Sequence, residues 1–247
     1  MRKRSKVSWT ITLTLGRKID PKTGKSKVNQ KVFTVRGTKA EAHVWDEVEV
    51  RKFLLAAREA GVEEEAFYTL AIETGMRKGE LCGLKWEDVD FVARRISVKR
   101  TLIKAGSEPI LGPPKVGRSR AVAISPQMAS LLKRHRIKQS EFKLCLGDAY
   151  TDQNFVFTKE NGDPLQINNF AQRSFADLIE RAGVKKIRFH DLRHTCATLL
   201  LANEVNPKID QERLGHSDIS MTLNRYSHVT PTMQDRAAQI LGDAMEI

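Results

Sequence analysis

The chain changes its texture once, near residue 45, and that change limits what it can fold into. In "VSWTITLTL", Val7, Trp9, Ile11, Leu13 and Leu15 alternate with Ser8, Thr10, Thr12 and Thr14. A period of two is the pattern of a strand with one apolar and one polar face. "DPKTGK" (20–25) supplies turn chemistry, and "KVNQKVFTV" (27–35) reads as a returning strand. "TKAE", Thr38 to Glu41, has capping-box spacing and predicts a helix start. From Asp46 onward the period becomes helical. "DEVEVRKFLLAAREAG" places Val50, Phe53, Leu54 and Ala57 on one face, with Asp46 as cap and Gly61 as stop.

The rest of the chain keeps that helical texture. "EEEAFYTLAIETG" predicts a helix ended by Gly75, and "RKGELCGL" a short one after it. "RRISVKRTLI" and "RSRAVAIS" read as strands around the turn-rich "LGPPKVG", and "NFVFT" as a short strand. Further helices are expected at about 126–142, 167–183, 191–203, 206–213, 217–226 and 231–244. At 247 residues there is room for one well-packed core and a small appendage. The expected class is α+β, mainly helical with a small antiparallel sheet, divided into a basic module at 1–45 and a body at 46–247.

Charge separates the same two parts. The formal net charge is +12, and residues 1–45 hold twelve Lys or Arg against two acids, so ten of those twelve charges lie in the first module. A polyanion such as nucleic acid is the natural partner for such a balance. A polar, basic strand face can lie in a DNA major groove, though a solubilising hairpin would carry the same lysines. Cys82, Cys145 and Cys196 are odd in number and far apart, which argues against a disulfide framework or a zinc site. No apolar run has the length of a membrane span, and "MRKRSKVSW" lacks the apolar core of a signal peptide, so a cytoplasmic location is expected.

Chemistry concentrates in a few short stretches. In "HDLRHT", His190, Arg193 and His194 stand at i, i+3 and i+4, on one face of a helix suited to an anion. "ETGMRKGELCGL" puts Arg77 just after a helix-ending glycine with Glu80 three residues later; it is either a phosphate-binding fork or a surface arginine paired with that acid. "PPKVGRSR" sets Lys115 at the tip of a strand pair, where a solvated lysine is ordinary. His216 in "RLGHSD" could be a helix cap, and Tyr226 in "MTLNRYSHV" a packing tyrosine.

In order, "TGMRKGELCGLKWEDVDF", the hairpin lysine, "HDLRHTCATLLL" and "LGHSDISMTLNRYSHV" resemble the tyrosine recombinase, or phage-type integrase, family over roughly residues 45–247. Residues 7 to about 43 resemble the arm-type DNA-binding module, a three-stranded sheet plus helix, that fronts many such integrases. The resemblance implies Tyr226 as nucleophile and Arg77, Lys115, His190, Arg193 and His216 as the phosphate-activating set, with Glu80 and Asp191 holding their neighbours and His194 structural. It implies a 3′-phosphotyrosyl intermediate, no cofactor and no metal. It also implies double-stranded DNA as partner and a homo-oligomer, a tetramer on that DNA, together with DNA-bending or directionality factors. One part of the family layout is missing: "TKAEAHVW" runs directly into "DEVEVRKFLLAA" without a core-binding domain between them. Two other activities stay open, a DNA-binding regulator without efficient strand exchange and a type IB topoisomerase-like enzyme.

Overall fold

The computed structural model describes residues 7–19, 26–37, 43–106, 108–114, 119–165 and 167–215, together with residues 239, 242, 243 and 245. The chain divides into two compact units, Met1–Ala42 and His43–Ile247. In the first, β1 (Val7–Ile19) pairs antiparallel with β2 (Ser26–Gly37). Trp9 lies opposite Val35 and Ile11 opposite Phe33, and the register slips between Thr14 and Arg17. Such a slip marks a bulge, which bends a hairpin and increases its twist. Among the described residues this sheet has two strands, where three were expected. The helix expected from Thr38 lies outside the described residues.

The second unit begins at His43. Trp45 is buried beside Phe53 and Phe175, with ring centroids at 4.7 and 5.9 Å. Its indole N–H donates to the Lys185 carbonyl at 2.7 Å, so the large ring is buried without orphaning its one polar group. The next helix, α1 (Glu47–Ala60), starts on a reciprocal cap. The Glu49 N–H donates to the Asp46 carboxylate at 2.8 Å, and the Asp46 N–H to Glu49 Oε2 at 3.1 Å.

Helix α2 (Val62–Thr74) buries Ala66, Phe67, Tyr68, Leu70, Ala71, Ile72 and Thr74. A helix apolar on nearly all sides belongs at the centre of a bundle. It packs between α1, α4 (Pro126–Leu146) and α6 (Asp191–Ala202), with the short α3 (Lys78–Cys82) following it. Strands β3 (Val89–Asp90), β4 (Arg95–Val98) and β7 (Arg120–Ala123) form one antiparallel sheet, and β5 (Thr101–Lys104) pairs with β6 (Ile110–Gly112) as a smaller hairpin between β4 and β7 in the chain. The predicted strand at 94–103 therefore divides between two nested ladders, and the one at 118–125 supplies β7 of the outer ladder.

After β7, Ser125 caps α4 by accepting from the Met128 N–H at 3.0 Å, and Pro126 occupies the first turn. "NFVFT" is not a strand. Phe155 and Thr158 make single bridges to Lys85 and Pro164. Asn154 has φ +63°, a left-handed turn of the backbone that interrupts an extended run, while Phe155, Val156 and Phe157 are buried as core. Helices α5 (Ile167–Ala182), α6 and α7 (Pro207–Leu214) fall where their periodicity predicts. The helix expected at 217–226 lies outside the described residues; of the one expected at 231–244, Gln239, Gly242 and Asp243 are described, and all three are helical.

Among the described residues no helix is long and apolar enough to cross a membrane, and no group of three or more His, Cys, Asp or Glu could hold a metal ion. Cys82 and Cys196 are buried thiols and Cys145 is exposed.

Candidate active site

The ends of α2 and α7 meet the side of α6, and two glycines make the meeting possible. Gly75 ends α2 at φ +59° and Gly215 ends α7 at φ +63°, the left-handed conformation that lets a helix stop abruptly. A Cβ on Gly75 would collide with Leu214 Cδ2 and press on Cys196 Sγ at 3.3 Å. Only glycine allows this approach of α2 to α6 and α7.

Arg193 enters that junction from α6. Its Nη1 donates to the Gly75 carbonyl at 2.7 Å and its Nη2 to the Leu214 carbonyl at 2.5 Å. The same guanidinium therefore satisfies helix-terminal carbonyls of both neighbours. Arg77 stands at the start of α3. Its Nη1 donates to Glu80 Oε1 at 3.0 Å, its backbone N–H to Glu80 Oε2 at 2.9 Å, and its Nη2 to the Gly215 carbonyl at 3.3 Å.

His190 is placed by the turn into α6. Asp191, buried in the first helical turn, accepts from the Arg188 N–H at 2.9 Å, from Nε at 3.0 Å and from Nη2 at 2.8 Å. Trp45 steadies the same region, since its N–H donates to Thr195 Oγ1 at 3.2 Å and its indole holds the Lys185 carbonyl. The His190 ring lies edge-on to His194 at 5.1 Å.

Met76, Arg77, Lys78, Phe189, His190 and Arg193 line one cavity of about 150 Å³. A wider groove of about 710 Å³ shares Lys78, Phe189 and His190 with it and runs along α5. Three of the six residues expected to act together are thus brought together. Lys115, His216 and Tyr226 lie outside the described residues, although the chain leaves the site at Gly215, immediately before His216, and Lys115 falls between β6 and β7.

The electrostatics favour an anion. Burial, then the Arg77 and Arg120 cations, push the Arg193 guanidinium down to about 9, so the cavity has positive charge that a bound anion would relieve. His190 is held below its ordinary value by partial removal from water and by the Arg193 cation, which keeps its imidazole neutral at neutral pH. Burial alone would raise the Glu80 carboxyl, but hydrogen bonds and charge from Arg120 and Arg77 outweigh it and hold Glu80 below its ordinary value.

Arg120 is the residue that the sequence analysis passed over. A signal was present: in "RAVAI", strand alternation puts Arg120 on the face of Val122 and Ile124, where a cation needs a buried acid. That acid is Glu80, which accepts from Arg120 Nη1 at 3.1 Å and Nη2 at 2.7 Å.

This arrangement of two arginines and a histidine on a helical domain with a small sheet has a match at the level of family. The phage integrase family model covers residues 43–233, and the chain belongs to that family. A tyrosine recombinase XerC-like protein of Caldanaerobacter subterraneus subsp. tengcongensis is 37% identical over 216 residues, covering 82% of this chain and 54% of that protein. The ICEBs1 integrase of Bacillus subtilis is 27% identical over 84% of this chain and 56% of its own length. The chain therefore spans about half the length of the curated relatives it matches. In fold it resembles the Tn1549 transposon integrase in complex with transposon right end DNA, with TM-score 0.69 and 24% identity, covering 83% of this chain and 67% of that one. XerA recombinase is similar, with TM-score 0.61 and 23% identity over 83% of this chain and 66% of that chain.

Proposed function

We propose that this chain is a site-specific DNA recombinase that cleaves and rejoins strands through a 3′-phosphotyrosyl intermediate. The supporting observation is the convergence of Arg77, Arg193 and His190 on one cavity, with both guanidinium groups tied to carbonyls at the end of α7 just before His216. Family membership and relatives named as recombinases and integrases point the same way.

In this reading the phenolic oxygen of Tyr226 attacks the scissile phosphorus, the P–O5′ bond breaks, and the 5′-oxygen leaves as a hydroxyl. Charge grows on the non-bridging oxygens as the attacking and leaving oxygens line up. Arg77 and Arg193 face that charge with planar forks, and His216 adds a hydrogen bond to the phosphate. A free tyrosine titrates near pH 10, so the phenol must lose its proton during attack. Neutral His190 accepts it. Lys115 donates a proton to the departing 5′-oxygen. A second 5′-hydroxyl then reverses the step, so the link conserves the bond energy without ATP.

The N-terminal segment 1–45 is read as the DNA-binding arm module because it carries ten of the twelve net positive charges. A tetramer on DNA, with bending or directionality factors, is the expected assembly. The lack of a core-binding domain between the two units lowers the number of phosphate contacts, and non-specific affinity depends steeply on that number.

A second reading has its own support. The direct run of "TKAEAHVW" into "DEVEVRKFLLAA", with no core-binding domain between them, suits a DNA-binding regulator that occupies integrase sites without completing exchange. A suicide-substrate assay separates the two. A nicked duplex bearing candidate core sites is incubated with wild type and with Tyr226→Phe, without metal or ATP, and covalent adducts are read on a denaturing gel. An adduct from wild type alone supports the recombinase. A retained mobility shift with no adduct supports the regulator.

A further inference from the structure

We propose that Arg120 is a positioning residue that holds Arg77 in the cavity and leaves its charge available to the scissile phosphate. The inference rests on the recombinase reading above. Its basis is the way one guanidinium joins three chain segments. Arg120 opens β7, the strand that follows Lys115 in the chain. Its Nη1 and Nη2 take both oxygens of Glu80, at 3.1 and 2.7 Å, while its Nε donates to the Arg213 carbonyl at 2.9 Å, two residues before Gly215. A Cβ on Gly215 would stand 3.1 Å from Arg120 Cδ, so the aliphatic stem also packs against that turn.

Glu80 is the shared element. Its carboxylate accepts two hydrogen bonds from Arg77 and two from Arg120, and its side chain is 1% exposed against 10% for Arg120. With Arg77 alone, Glu80 would form a neutral pair whose partner has little charge left for a ligand. The second arginine gives the triad a net charge of one, and the bidentate contact fixes the plane of the carboxylate. That plane sets where Arg77 Nη1 lies and, through Nη2, its reach to Gly215. Without Arg120, the carboxylate can turn fully onto Arg77 and draw it away from the cavity. A displacement of about 1 Å at such a group can cost about 10²-fold in rate.

The test uses the full chain. Single-turnover adduct formation on the suicide duplex is measured at saturating protein for wild type, Arg120→Met, Arg77→Lys and the double variant. Thermal melting and DNA mobility shift accompany each, and Arg120→Lys replaces Arg120→Met where the latter fails to fold. Arg120→Met is expected to be about 10²-fold slower with half-saturating DNA concentration unchanged. On the Arg77→Lys background it should add less than about twofold, because residues acting as one unit are not additive. On a duplex whose scissile phosphate is an uncharged methylphosphonate, the Arg120→Met defect should shrink, since there is less charge for Arg77 to meet. Equal losses on both backgrounds and both substrates would overturn the inference while the recombinase reading stands. Absence of any Tyr226-dependent adduct from wild type would overturn that reading, and this inference with it.

Discussion

Arg193 reaches back 118 residues to donate a 2.7 Å hydrogen bond to the carbonyl of Gly75, at a position where any Cβ would collide with Leu214. The left-handed turn at Gly75 points its carbonyl at α6 and leaves no side chain between α2 and Leu214. Cap, close packing and guanidinium anchorage are one feature.

Replacing Gly75 by alanine should therefore damage fold and site together. The left-handed backbone costs a non-glycine residue about 1–2 kcal/mol, and the collision with Leu214 about 1–3 kcal/mol more. For a chain of this size that total lowers the melting temperature by roughly 5–15 °C. Thermal unfolding of Gly75→Ala followed by circular dichroism checks this. A change below about 1 °C would mean that α7 does not pack as described.

Arg193→Lys tests the anchorage at constant charge. One ammonium cannot span the Gly75 and Leu214 carbonyls and still face the cavity as a fork does. Adduct formation should fall by at least about 10²-fold, the usual loss when a preorganised donor is removed, while the DNA mobility shift persists. An adduct rate within about threefold of wild type would show that the fork geometry is not used.

His190 predicts a pH limb with a definite sign. Its pKa is held below the ordinary histidine value, by partial desolvation first and Arg193 second, so the imidazole stays neutral through neutral pH and takes up a proton only on acidification. If neutral His190 accepts the tyrosyl proton, the single-turnover rate falls as pH drops through that lowered value and levels off above it. His190→Gln should be slow and lack this limb between pH 5 and 7.5. An unchanged limb in His190→Gln would assign the titration to another group.

Glu63 makes a prediction about stability alone. It lies at the start of α2, with Oε1 buried and accepting no hydrogen bond from the described residues. It lines a cavity of about 20 Å³ with His135. Burial, then Glu64 and Glu160, push its carboxyl up to about 8 from an ordinary 4.5. Between those values the folded chain keeps a proton that the unfolded chain has lost, so stability falls as pH rises through the window and levels off above about 8. Glu63→Gln, close in shape and uncharged, should melt like wild type near pH 4.5 and several degrees higher at pH 8.5. Equal melting temperatures at both pH values would contradict the raised carboxyl.

Much of this molecule is written in local pattern. Asp46, Gly61 and Gly75 bound α1 and α2 because caps and left-handed stops are properties of a few adjacent residues. Spacing alone puts His190 and Arg193 on one side of α6, and the order of the short motifs is itself the mark of the family. The alternation in β1 and the returning β2 were equally legible. Local pattern misled at "NFVFT", where three consecutive buried residues looked like a strand.

What tertiary structure alone decided was which partner each charge found. Arg77 next to Glu80 reads as an ordinary surface pair; only the fold brings Arg120 from 40 residues away onto the same carboxylate and Gly215 from 138 residues away onto the same guanidinium. Periodicity assigns a side chain to a face, but it cannot say which distant face will meet it. A buried ion network depends on that meeting, because the cost of desolvating each charge is offset only by groups that long-range packing supplies.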